Sequence, residues 1–175
     1  MVAMADVRQR NLHGCSGELA LFRDLQHPPN YGTIHNMLAT VREIQFAQHG
    51  DERGRLIALE ALSDLVPFDV KRVYYIFDTT PGTVRGKHAH KVLKQVLICV
   101  SGACTIECEM PDGTNTEHRL DWPDRGLLIE GLVWRNMKEF SKDAVLLVLA
   151  SEHYDEVDYI RDYEEFKRLS IVLGK

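Results

Sequence analysis

His88 and His90 stand one residue apart, behind Arg85 and just ahead of the apolar run from Gln95 to Val100. Side chains of an extended chain alternate, so a His-x-His pair sends both imidazoles to the same side of a strand. Two imidazoles held side by side bind a metal, move protons near neutral pH, or hydrogen-bond within a core. Arg85, three residues before His88, carries a planar guanidinium that suits phosphate oxygens, although a surface ion pair is the commoner fate of an arginine. The function turns on which of these uses the rest of the chain supports.

The elements that must position the pair are short strands. Val41–Phe46 alternates, Asp51 to Gly54 makes a turn, and Arg55–Glu60 and Arg72–Phe77 follow, the latter β-branched and aromatic. Lys94–Val100 ends at the turn Ser101-Gly102; Cys104–Met110, Glu117–Leu120, Gly126–Ile129, Val133–Met137 and Ala144–Ala150 complete the set. About nine strands at roughly 8–12-residue spacing imply an all-β sandwich or barrel. The pattern then changes to a helix over 162–169, with Asp162 as its cap, Glu165 three residues on, and Lys167 and Arg168 late. Residues 1–37, rich in Gly, Asn, His and Pro, are an N-terminal extension with one helical hint after Ser16, and residues 38–175 form the domain proper.

With 175 residues, 45% hydrophobic and 27% charged, the chain is large enough for a real core. Its net charge of −5 argues against a nucleic-acid partner. No apolar run reaches the ~20 residues of a membrane span, and no signal-peptide pattern opens the chain, so a cytoplasmic location is expected. Cys15, Cys99, Cys104 and Cys108 lack a CxxC spacing and read as reduced thiols.

The spacing Gly82-x5-His88-x-His90-x4-Gln95-x6-Gly102 resembles the first signature of the cupins, double-sheet jelly rolls. In many cupins two histidines, a glutamate and a third histidine hold a divalent metal. Here Gln95 replaces the glutamate, and alignment on Gly131 puts Trp134, whose indole N–H is donor-only, at the third histidine. No metal and no cofactor are expected, because two histidines fall short of the usual three protein ligands.

Five segments sharpen the resemblance: Arg72–Phe77, Arg85–Lys91, Gln95–Gly102, Ala144–Ser151 and Tyr154–Tyr163. Together they look like the WxcM-like cupins, sugar-nucleotide 3,4-ketoisomerases, over about Val41 to Leu169. The resemblance implies a cupin-type double-stranded β-helix barrel with a C-terminal α-helix, acting on a dTDP-linked 4-keto-6-deoxyhexose in deoxyaminosugar biosynthesis. It implies His88 as the base at C3, with His90 sharing the second proton or stabilising the enediolate. Tyr74 is favoured over Tyr75 for the cavity, the two lying on opposite faces of one strand. Arg85, with Arg53 and Arg72 as weaker candidates, is expected on the diphosphate, and Gln95 and Arg135 on the substrate. A homodimer, with an early strand such as 56–60 exchanged, is also implied.

Several residues have plainer readings. Arg135, where many relatives carry histidine, either brings a fixed charge to the cavity or sits on the barrel rim. Trp122 and Trp134 are expected in the core, Lys91 and Lys94 in solvent, and Asp155, Asp158, Asp162 and Glu165 on a solvated face. A sugar-nucleotide 3,5-epimerase and a non-catalytic sugar-nucleotide-binding cupin stay open as alternatives.

Overall fold

The computed structural model of the chain describes residues 39–173; the helical hint after Ser16, the loop at His27–Gly32 and the early histidines lie outside the described residues. Two five-stranded antiparallel sheets carry the fold. Strands β1 (Thr40–Gln45), β4 (Arg72–Ile76), β6 (Gln95–Ser101), β9 (Arg125–Glu130) and β11 (Val145–Ala150) form the first, in the order β1-β9-β6-β11-β4. The second runs β12-β5-β10-β7-β8, from β5 (Arg85–His90), β7 (Cys104–Glu109), β8 (Asn115–Leu120), β10 (Trp134–Lys138) and β12 (Tyr159–Ile160). A hairpin of β2 (His49–Asp51) and β3 (Gly54–Leu56) stands apart, and α1 (Tyr163–Leu173) ends the described chain.

The sheets face one another. Leu97, Leu127, Ile129, Leu146 and Val148 of the first pack against Ile106, Cys108, Leu120 and Met137 of the second, as a jelly roll requires. A second core covers the first sheet's outer face, where Val96, Ile98, Leu128 and Leu149 meet Phe46, Val66 and Phe68. This double cover explains why β6, β9 and β11 read as unbroken apolar runs: both of their faces are buried. It also corrects the strand expected over 55–60. Pairing in β3 stops at Leu56, and Ile57 and Leu59 instead pack against the second core in irregular chain.

The histidine strand is fixed from behind. Ala89, between the two histidines, faces Leu132, Ile160 and Phe166 in a third cluster, with Trp134 packed against it. Helix α1 supplies Phe166, and its start is as expected: the Asp162 carboxylate accepts from the Glu164 and Glu165 amides at 2.8 and 3.3 Å. The helix runs past Leu169 to Leu173, with no Gly or Pro to stop it before Gly174. Among the described cysteines, Cys99, Cys104 and Cys108 are free and buried, as expected.

A bulge sets the aim of the pair. Arg135 lies opposite His88, yet Asn136 lies opposite Gly86, so Lys87 is an extra residue in β5. Gly86 has φ +83°, and a Cβ there would come within 2.7 Å of the Arg135 carbonyl oxygen. Glycine alone fits both conditions. Gly86→Ala is therefore expected to cost on the order of 2 kcal/mol, read as a lowered urea midpoint, whereas Gly113→Ala, which meets no atom within 4 Å, serves as the strained-φ control without the clash.

Candidate active site

Strand alternation and the bulge bring His88 and His90 to the inner side of β5. Their rings are 4.8 Å apart at the centroids and nearly perpendicular, at 83°. From β12, Tyr159 packs its ring 4.2 Å from that of His90 and 5.0 Å from that of His88. From β10, Arg135 faces the same interior; it is 0% exposed, and among the described residues none hydrogen-bonds its Nε, Nη1 or Nη2. On the opposing sheet the Gln95 amide donates to the Tyr74 hydroxyl at 2.7 Å. Arg72 lies over the Tyr74 ring at 5.2 Å and over that of Tyr154 at 5.7 Å. Half-buried Tyr159 leads outward to exposed Arg161, which stacks on it at 4.3 Å and pairs with Glu156.

Asp158 completes the group. One carboxylate oxygen lies 2.7 Å from His90 Nδ1, and the other accepts from the Lys91 and Val92 amides at 3.0 and 2.8 Å. The Asp158 side chain is only 10% exposed. This corrects the expectation of a solvated acidic face: Asp155 and Glu156 are exposed, but Asp158 turns inward because β12 pairs Tyr159 with His90.

The site disfavours positive charge on its histidines. Burial, reinforced by the Arg135 and His90 charges, pulls His88 down to about 3. Burial also pulls His90 down to about 4, against the opposing pull of Asp158 and with help from Arg135. Burial pushes Asp158 upward, but its bonds from His90, Val92 and Lys91 outweigh that and hold the carboxyl below its ordinary value. Burial likewise raises Tyr74, with Arg135 and Arg72 pulling the other way. Both imidazoles are thus neutral at physiological pH, each with a lone pair to offer. Among the described residues no three His, Cys, Asp or Glu side chains are grouped to hold a metal ion. The donor chemistry points the same way, since a guanidinium facing both imidazoles opposes a dication.

Of the residues singled out in the sequence, His88, His90, Tyr74, Gln95, Arg135 and Arg72 come together. Arg85 begins β5 exposed to solvent. Arg53 stays apart on the β2–β3 hairpin, its side chain 85% exposed and paired with Asp51. Arg135 is not on a rim but fully buried, and Trp134 is turned the other way, against Tyr163 and Phe166 of α1. The inward place on β10 thus belongs to Arg135. Trp122, expected in the core, is exposed and lines a surface groove of about 690 Å³ with Ile57, Leu59, Ile98 and Val100, a groove that contains neither histidine. Sequence reasoning missed Asp158, Tyr159 and Arg161; the one signal was the apolar pair Tyr159-Ile160 inside an acidic stretch.

Comparison with known proteins places this geometry in context. The family described as "FdtA: WxcM-like, C-terminal" matches residues 39–170. A TDP-4-oxo-6-deoxy-alpha-D-glucose-3,4-oxoisomerase from Aneurinibacillus thermoaerophilus is 48% identical over 126 residues, 71% of this chain and 88% of its own. The crystal structure of a 3,4-ketoisomerase from Helicobacter canadensis, 46% identical, superposes with a TM-score of 0.71 over 75% of this chain and 97% of that one. The sugar 3,4-ketoisomerase QdtA from Thermoanaerobacterium thermosaccharolyticum, solved with TDP, is 44% identical and has a TM-score of 0.72 over 75% and 95%.

Neutral buried histidines also fix how stability depends on pH. Between an unfolded value near 6.5 and folded values of about 3 and 4, the unfolded chain binds protons that the folded chain refuses. Stability is therefore full above pH 6.5 and lost as pH falls, by up to about 1.4 kcal/mol per pH unit for each histidine. Urea melts from pH 7 to 4.5 are expected to show this slope, and His88→Asn to remove about half of the histidine contribution.

Proposed function

The chain belongs to the FdtA, WxcM-like C-terminal family, and we propose that it is an isomerase that moves the ketone of TDP-4-keto-6-deoxyglucose from C4 to C3. The observation that carries this reading is the neutral His88–His90 pair facing a buried guanidinium with no hydrogen-bond partner among the described residues, in a chain 48% identical to a 3,4-oxoisomerase of that sugar.

The chemistry follows from those groups. The proton at C3 is acidified by the adjacent C4 carbonyl. His88, half-buried and unprotonated, takes it, and electrons move onto O4 to give an enediolate. Arg135 faces this developing charge with donors already desolvated and free, the arrangement in which electrostatic stabilisation is strongest. A base near 3 is weak in the resting site, but a negative charge forming beside it raises its affinity for the proton. The proton on O3 must then pass to O4, and C4 must receive the proton taken from C3 or one from solvent, to give the 3-ketone with a 4-hydroxyl. His90 and the Tyr74 hydroxyl, held by Gln95, are the groups at hand for those transfers. No cofactor is called for, since hydrogen moves as a proton and no net oxidation occurs.

Arg85 and Arg72 are assigned to the diphosphate, Arg85 from the exposed start of β5 and Arg72 from β4. The molecule is proposed to be a cytoplasmic homodimer. Edge strand β4 and the residue after it leave Val73, Tyr75 and Phe77 exposed by 55%, 61% and 61%, apolar area that a second copy would cover. Arg53 lies on the turn between β2 and β3, remote from its own chain's site, and exchange of that hairpin is the route by which it would reach a partner's. Sedimentation at micromolar concentration is expected to give a dimer, and a monomer alone would count against it.

The activity is tested by incubating the metal-stripped protein with TDP-4-keto-6-deoxyglucose and following the sugar by NMR. A 3-keto product is expected. His88→Asn is expected to lose 10²–10⁴-fold in turnover, the usual contribution of a proton-transfer residue, with the circular dichroism spectrum unchanged. Wild-type turnover by that variant would remove His88 from the mechanism.

A further inference from the structure

We infer that Asp158 is a positioning residue: it fixes His90 as the tautomer protonated at Nδ1, so that the bare Nε2 lone pair faces the reacting sugar. The inference deepens the isomerase reading and rests on it for its catalytic consequence.

The argument starts from what each Asp158 oxygen touches. Oδ1 accepts from two backbone amides, those of Lys91 and Val92, at 3.0 and 2.8 Å, just past the end of β5. The Lys91 amide also bonds the Asp158 carbonyl at 3.1 Å, so the turn after β5 and the 3₁₀ turn Glu156–Asp158 are tied at backbone level. These bonds fix which way the carboxylate points. Oδ2 is left 2.7 Å from His90 Nδ1. An ionised carboxylate only accepts, so Nδ1 must carry the proton. His90 Nε2 is then a bare acceptor, buried, with no partner among the described residues.

The surroundings leave no rival for Nδ1. Around the His90 ring stand the His88 ring, the Tyr159 ring face and the cations Arg135 and Arg72. Neither guanidinium can accept a proton bond, and among the described residues Asp158 is the one carboxylate bonded to the ring. If His90 gains a proton during turnover, Asp158 also stabilises the imidazolium across the same bond.

Because two backbone donors anchor Oδ1, the effect of Asp158→Asn is directional. The amide oxygen stays with the Lys91 and Val92 amides, so its NH₂ group is presented to His90 Nδ1. Two donors cannot face each other. His90 must therefore shift its proton to Nε2, turning the lone pair seen by the sugar into an N–H.

The test is long-range ¹H–¹⁵N NMR of the full chain labelled at histidine, in wild type and Asp158→Asn, with turnover and KM measured on the same samples. In wild type, His90 is expected to carry its proton on Nδ1; in the variant, on Nε2. Turnover is expected to fall 10²–10⁴-fold with KM little changed, a split that loosened packing would not give. A wild-type His90 protonated at Nε2 overturns the inference whether or not the variant folds. So does a variant that keeps both the Nδ1 tautomer and its turnover. If the tautomer switches but wild type does not isomerise the sugar, Asp158's positioning role stands and the proposed reaction falls.

Discussion

A guanidinium buried between two sheets, with no carboxylate on its nitrogens among the described residues, is the constraint on which the site depends. Arg135 is wholly enclosed, and a cation without a bonded countercharge in such a place is costly to the fold. Its field reaches everything near it: it helps keep both histidines neutral and opposes the rise of Tyr74. A cation held in this way is least stable in the empty site and gains most when negative charge develops beside it. The reaction proposed here develops such a charge, as an enediolate, one bond from where the neutral imidazoles take the proton.

Holding that arrangement requires a rigid frame behind it. Gly86 lets β5 approach the Arg135 backbone at the bulge, and Ala89 locks the outer side of the same strand against Ile160 and Phe166. Strand β12 then brings Tyr159 and Asp158 across to His90. The segment that follows β11 therefore frames the histidine pair, and α1 packs Phe166 against the strand that carries it. Both ends of the histidine strand are thus defined by contacts from elsewhere in the chain.

Much of this was legible in the sequence, for physical reasons. A period of two placed His88 and His90 on one face, and the apolar runs of β6, β9 and β11 are long because both of their faces are covered. Alternation also separated Tyr74 from Tyr75. What was not legible depended on partners far along the chain. Asp158 bonds a residue 68 positions away, and in its acidic stretch it looks like its solvated neighbours. On β10 the alignment on Gly131 puts Trp134 at the inward position. A one-residue slip reverses a strand's faces, and α1 offers Trp134 an apolar seat outside, so the charged residue is the one enclosed. Arg53, a weaker candidate for the diphosphate, lies on the β2–β3 hairpin paired with Asp51, a placement its sequence neighbours do not reveal.

In the proposed reaction hydrogen leaves C3 and reaches C4 as a proton carried by side chains that exchange with water. The direct measurement is turnover of TDP-4-keto-6-deoxyglucose by metal-stripped protein in deuterated water, with the 3-keto product followed by NMR from its first appearance. Solvent deuterium is expected at C4 of that product. Product formed at the same rate with only protium at C4 would mean that hydrogen passes directly from C3, and would contradict the proton-transfer role of the histidine pair.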